Sequence, residues 1–215
     1  MVSCKNADKK AVEMYADTIF FDYKITGQAG DDNLTVLLQY KYGDEDGKAF
    51  AAGDPGKVML DGEQIPGDST KRTGPFYEIN KPIAGFTGKH SIIFIGADNK
   101  EYKEEFEFKP MTLLSTVPEN VQRGDLVFEL EGLESEDYVR VVLTDTSFIH
   151  DGINRVDTVL NGQLIISKTE LESLADGPVQ LEFIREYERP INNGTEGGGC
   201  LQITYSLKRE FILKD

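Results

Sequence analysis

The chain has 215 residues, 39% hydrophobic and 28% charged, the balance of a folded globular protein. Its 38 Asp and Glu against 23 Lys and Arg leave a net charge of −15, which repels phosphate backbones and anionic lipid and excludes nucleic acid as a partner. No apolar run approaches the roughly 18 residues a membrane-crossing helix requires, and Cys4 and Cys200 are too far apart in sequence for a disulfide inside either half.

The opening stretch, Met1-Val-Ser-Cys4-Lys-Asn, places small and polar residues around a cysteine, and residues 1–16 read as a polar tether. From Thr18 to Ile25 the chain is β-rich and stops at Gly27. Leu34, Val36, Leu38, Tyr40 and Tyr42 then alternate with Thr35, Gln39 and Lys41, the pattern of a half-buried antiparallel strand. An acidic loop, Gly43–Gly56, leads to Lys57-Val-Met-Leu-Asp-Gly-Glu-Gln-Ile65, where apolar residues alternate up to an Asp-Gly pair. Such a pair suits a type I′ turn, in which both central residues need φ > 0, so a tight hairpin is expected. Phe76–Ile79 reads as a weak strand ended by Pro82, and His90–Ile95 and Tyr102–Phe108 read as strong strands joined by a short turn.

Lys109-Pro110 is the expected boundary, because proline stops the preceding strand. The order of signals then returns. Leu126–Leu130 ends at Gly132, Tyr138–Leu143 follows, Asp145–Arg155 replaces the acidic loop, and Asp157-Thr-Val-Leu-Asn-Gly-Gln-Leu-Ile165 repeats the hairpin. Ser167-Lys-Thr-Glu170 has capping-box spacing and is either one helical turn or a strand edge. Val179–Ile184 and Leu201–Leu213 close the second half. Strands at this spacing predict an all-β chain of two sandwiches, residues 17–110 and 111–215. The acidity is uneven: residues 1–110 carry 14 Lys and Arg against 19 Asp and Glu, residues 111–215 carry 9 against 19.

Val-Ser-Cys4 before a polar stretch resembles the end of a bacterial lipoprotein signal, and the two β-modules after it resemble tandem immunoglobulin-like modules of Bacteroidetes-type surface lipoproteins. The resemblance implies export, lipidation at Cys4, and contact with the membrane only through that anchor; the alternative at the N-terminus is an ordinary start with an incidental cysteine. Asp17-Thr-Ile, Asp68-Ser-Thr and Asp157-Thr-Val match the three-residue O-glycosylation pattern of exported proteins in that group. The resemblance does not supply a ligand, because sandwiches host many functions.

Catalytic signals are scarce. His90 and His150 are the only histidines and no Gly-x-Ser-x-Gly elbow accompanies them, so no enzyme activity is expected. Cys200, after three glycines, reads as a small apolar side chain in a strand rather than a nucleophile. Asp44, Asp46 and Asp54 are the carboxylates that would hold calcium, against the plainer reading of a solvated acidic loop with no cofactor. The segment from Arg185 to Gly199 differs most between the halves. A long loop with Arg185, Tyr187, Arg189, Asn192 and Asn193 around a glycine-rich tip is the expected recognition surface of the second module, or a loop without a role. The partner would be a protein or, alternatively, a glycan, for which the absence of Trp is unfavourable.

Overall fold

Alternation of apolar and polar residues commits most of the chain to strands, because side chains two apart share one face of a pleated sheet. The computed structural model describes residues 18–133, 138–146 and 152–215; Cys4 and His150 lie outside them. Among the described residues, eight strands precede Lys109: β1 (Ile19–Gln28), β2 (Asn33–Tyr42), β3 (Lys57–Leu60), β4 (Glu63–Gln64), β5 (Gly67–Thr70), β6 (Gly74–Pro82), β7 (Gly88–Ile95) and β8 (Glu101–Phe108). After it come β9 (Thr112–Leu113), β10 (Asn120–Gln122), β11 (Leu126–Glu131), β12 (Tyr138–Asp145), β13 (Ile153–Thr158), β14 (Gln163–Ile166), helix α1 (Lys168–Leu171), β15 (Gly177–Pro190) and β16 (Gly199–Lys214).

The strands form two immunoglobulin-like sandwich units, neither of them a continuous stretch of chain. The first takes the residues up to Ile25, Asn33–Phe108 and Glu188–Gln202; the second takes Thr26–Asp32, Lys109–Tyr187 and Ile203–Asp215. Compared with the expected split at residue 110, the segment 188–202 therefore sits in the first unit.

In the first unit the order β16-β1-β2-β6-β5 makes one sheet and β4-β3-β7-β8 the other. Aromatic side chains join them. Phe94 of β7 lies 4.3 Å from Tyr40 of β2 and 5.8 Å from Phe21 of β1, ring centroid to centroid, and Tyr102 of β8 lies 5.3 Å from Phe21. Such pairs contribute about 0.5–1.5 kcal/mol each beyond their buried area. In the second unit the order β13-β12-β15-β16 faces β14-β11-β9, and β10 pairs parallel to β16. This core is mostly aliphatic, with Phe128 and Phe183 meeting across the sheets at 5.2 Å.

Both Asx-Gly turns form as expected, with φ of 50° and 82° at Asp61 and Gly62 and of 53° and 75° at Asn161 and Gly162. Their strands behave differently. β3 and β4 pair directly, Leu60 against Glu63, whereas the second turn keeps only an isolated bridge between Leu160 and Gln163. β13 pairs with β12 and β14 with β11, so the second turn passes the chain from one sheet to the other. The repeated order of elements is thus not a repeated pairing: β1 lies beside β2, but β11 and β12 occupy opposite sheets. Two further differences concern length. The weak strand at 76–79 is the nine-residue β6, paired with β2, and β15 runs on to Pro190. Of the two readings at Ser167 the helical one holds, with a full capping box starting α1.

Candidate interaction site

Strand β8 reads Glu-Tyr-Lys-Glu-Glu-Phe-Glu-Phe, and its even positions point inward. Three of these are aromatic and the fourth is Glu104, only 2% exposed. A buried carboxylate costs several kcal/mol unless it is paired and hydrogen-bonded. The partners arrive from the hairpin tip, 85 residues or more further along the chain. Arg189 Nη1 lies 2.6 Å from Glu104 Oε1, the Asn192 backbone N–H donates to Oε2 at 2.7 Å, and Asn192 Nδ2 donates to Oε1 at 3.1 Å. Arg189 Nη2 also donates to the Glu105 carbonyl and Asn193 Nδ2 to the Lys103 carbonyl. β8 is the outer strand of its sheet, so these side chains occupy an edge that would otherwise offer backbone acceptors to another strand.

The rest of the tip is equally engaged within this unit. The Thr195 hydroxyl accepts from the Ile19 N–H at 2.7 Å and donates to the Ile19 carbonyl at 2.6 Å. A Cβ at Gly197 would stand 2.5 Å from the Gly43 carbonyl oxygen, so only glycine lets the backbones approach this closely. Cys200 follows, its thiol pushed up to about 11 by burial and then by the nearby Glu188 carboxylate.

The five residues expected on one recognition loop are therefore distributed. Arg185, Tyr187 and Arg189 are strand residues of β15, because alternation continues to Pro190; Asn192 and Asn193 are in the tip proper. Arg185 belongs to the second unit, where its Nη1 donates to the carbonyls of Lys109 and Gly132. Tyr187, half-buried, is also in the second unit, and the other three are in the first. Asp44 uses its carboxylate to accept the Asp46 N–H at 3.0 Å, stabilising its own turn, while Asp54 is exposed further along the loop. Among the described residues, no group of three or more His, Cys, Asp or Glu is placed to hold a metal ion.

Beside the Glu104 clasp a groove of about 490 Å³ opens on the first unit, lined by Asp61, His90, Ser91, Lys103, Phe106 and Arg189 among others. Its wall is fixed by the first Asx-Gly turn. Asp61 Oδ1 accepts the Ser91 N–H and Oδ2 lies 2.7 Å from His90 Nδ1, while the His90 ring stacks on Phe86 at 3.7 Å. Glu104 and the Asp61–His90 contact were both missed from sequence. A charge at an inward position between Tyr102 and Phe106 was the available signal for the first.

The second unit presents a different surface. Among the described residues the exposed large apolar side chains are Leu114, Val127, Tyr138, Val156, Leu160 and Ile165, and all six belong to it.

No protein-family model matches this sequence, and no curated protein does. Solved structures give distant likenesses. The two immunoglobulin domains IG1 and IG2 of DIP-gamma are 11% identical, with 88% of this chain and 97% of that one covered at a TM-score of 0.26. The titin pair A168–A169 is 12% identical, covering 92% and 99% at 0.26. SGBP-B of the Bacteroides ovatus mixed-linkage glucan utilization locus, solved in complex with a mixed-linkage heptasaccharide, is 10% identical, covering 92% and 60% at 0.22. At such scores these likenesses carry no argument about function; the sandwich assignment rests on the sheet order and the cross-sheet packing described above.

Proposed function

We propose that the chain is a non-enzymatic binding or scaffold module of the cell envelope, exported, lipid-anchored through Cys4, and recognising a protein partner with its second unit. The observation that carries the binding role is the confinement of the six exposed apolar side chains to that unit. Three of them, Leu114, Val127 and Ile165, group at the three-stranded sheet, and Tyr138 and Val156 belong to the other. Soluble monomers rarely group such side chains on a sheet face without a use, and interfaces draw on them. The anchor is tested in the native host by labelling cells with a fatty acid analogue and shaving them with protease. Label lost on Cys4→Ala, together with protease sensitivity, supports the surface assignment; an unlabelled cytosolic protein overturns it.

A second reading, a glycan-binding accessory protein, is favoured by the groove of the first unit, whose lining is mostly polar and charged side chains. Retardation in a polysaccharide-containing native gel that disappears in Lys103→Ala would select it. Mobility unaffected by every polysaccharide tried would leave the protein-binding reading alone.

A further inference from the structure

We infer that the outer face of the three-stranded sheet β14-β11-β9 docks a protein surface that is aliphatic at its centre and flanked by Lys or Arg. This deepens the protein-binding reading and rests on it. The register places the residues. The Leu130 N–H donates to the Gly162 carbonyl, so 130/162, 128/164 and 126/166 are the hydrogen-bonded pairs of the ladder, and Val127 stands against Ile165 in a non-hydrogen-bonded pair, where side chains lie closest. The Leu114 N–H donates to the Glu129 carbonyl, which sets Leu114 opposite Glu129 and diagonal to Val127. Ile165 of β14, Val127 of β11 and Leu114 just after β9, respectively 52%, 49% and 56% exposed, thus form one aliphatic strip. Phe128, Leu130, Leu164 and Ile166, on the opposite face, are all buried. A half-buried sheet ordinarily puts polar residues at the outward positions, and this one does not.

The occupant follows from what borders the strip. Glu129 and Glu131 are exposed on the same face. A second copy docked through the same face would bring a further pair of these carboxylates into the same interface, whereas a basic rim would complement them. Strand addition is also opposed. In this register the Ile165 carbonyl points away from β11, and Arg155 Nη2 donates to it at 2.6 Å, covering the free edge of β14. Addition of a strand beside Ile165 is thus blocked on the β14 side, and the exposed strip itself is the surface offered to a partner.

The test uses the full chain, labelled with ¹⁵N and titrated with two synthetic amphipathic helical peptides, one of Leu and Lys and one of Leu and Glu. The Leu/Lys peptide is expected to shift amides within 112–115, 126–131 and 163–166, the Leu/Glu peptide to leave them unmoved. Ile165→Lys and, separately, Val127→Lys should each weaken binding about tenfold, the size expected for a central contact, with Tyr138→Lys on the other sheet without effect and melting temperatures unchanged. Shifts scattered over the acidic surface, or insensitive to Ile165 and Val127, overturn the proposal. Self-association centred on the strip overturns it in favour of a second copy. Binding that moves to Tyr138 and Val156 overturns this face and leaves the protein-binding reading standing, whereas loss of every partner interaction removes both.

Discussion

The first unit exposes none of its large apolar side chains among the described residues and closes the free edge of β8 with Arg189 and Asn193; the second exposes six. The first half also carries the milder charge excess, and its core is a set of interlocked aromatic rings centred on Phe21, Tyr40 and Phe94. Units with the same order of strand signals therefore differ at the surface: one is packed and capped, the other leaves large apolar side chains exposed. The difference lies in what side chains do at outward positions and edges, where strand propensity is indifferent.

The comparison breaks most sharply at the buried carboxylate. Arg189→Ala removes the cationic partner of the almost fully buried Glu104, leaves only Asn192 as donor, and should cost about 3 kcal/mol in a denaturant titration. That is the lower end for a broken buried pair, because Arg189 keeps some contact with water. Adding Glu104→Gln should recover part of the loss, since a neutral amide leaves no orphaned charge; a double variant as unstable as the single one would show that the ion pair is not the cause.

The twin turns offer a sharper test. Both Gly62 and Gly162 have positive φ, where an L side chain costs roughly 1–2 kcal/mol. A Cβ at Gly62 meets nothing within 4 Å, but one at Gly162 would stand 2.9 Å from the Leu130 carbonyl oxygen. Gly162→Ala should therefore lower the melting temperature more than Gly62→Ala. Equal shifts would mean that the sheet-crossing turn is no tighter than the hairpin.

Smaller effects belong to single features of each unit. Ser167→Ala removes one half of the capping box on α1 and should cost about 1 kcal/mol. Against the cost of its partial burial, Glu170 is held below its usual range by Ser167 and then Arg155. Its contribution is therefore present above the ordinary carboxylate range and lost as pH falls through the lowered value, so the wild-type advantage over Ser167→Ala should shrink in acid. In the first unit the Cys200 thiol, raised to about 11, contributes stability that is complete below the ordinary thiol range and falls as pH rises from there. Iodoacetamide at pH 7.5 should alkylate it far more slowly in the folded chain than in guanidinium, and comparable rates would show an open site.

The sequence by itself determined the strands and the turns. Alternation over Leu34–Tyr40 predicted a face that is fully buried, and Asp61-Gly62 and Asn161-Gly162 predicted turns with positive φ at both central residues. These are local consequences of side-chain period and backbone sterics. Pairing was another matter. Nothing in Val159-Leu-Asn-Gly-Gln-Leu164 distinguishes a hairpin from a crossing between sheets, because the choice depends on which distant strand offers a ladder, here β12 for one arm and β11 for the other. The same holds for the tip. Arg185–Gly199 reads as a polar loop, and only the tertiary structure sets Arg189 and Asn192 on the carboxylate of Glu104. The energy that holds them there, relief of a buried charge, is a property of a residue 85 positions away and has no local signature.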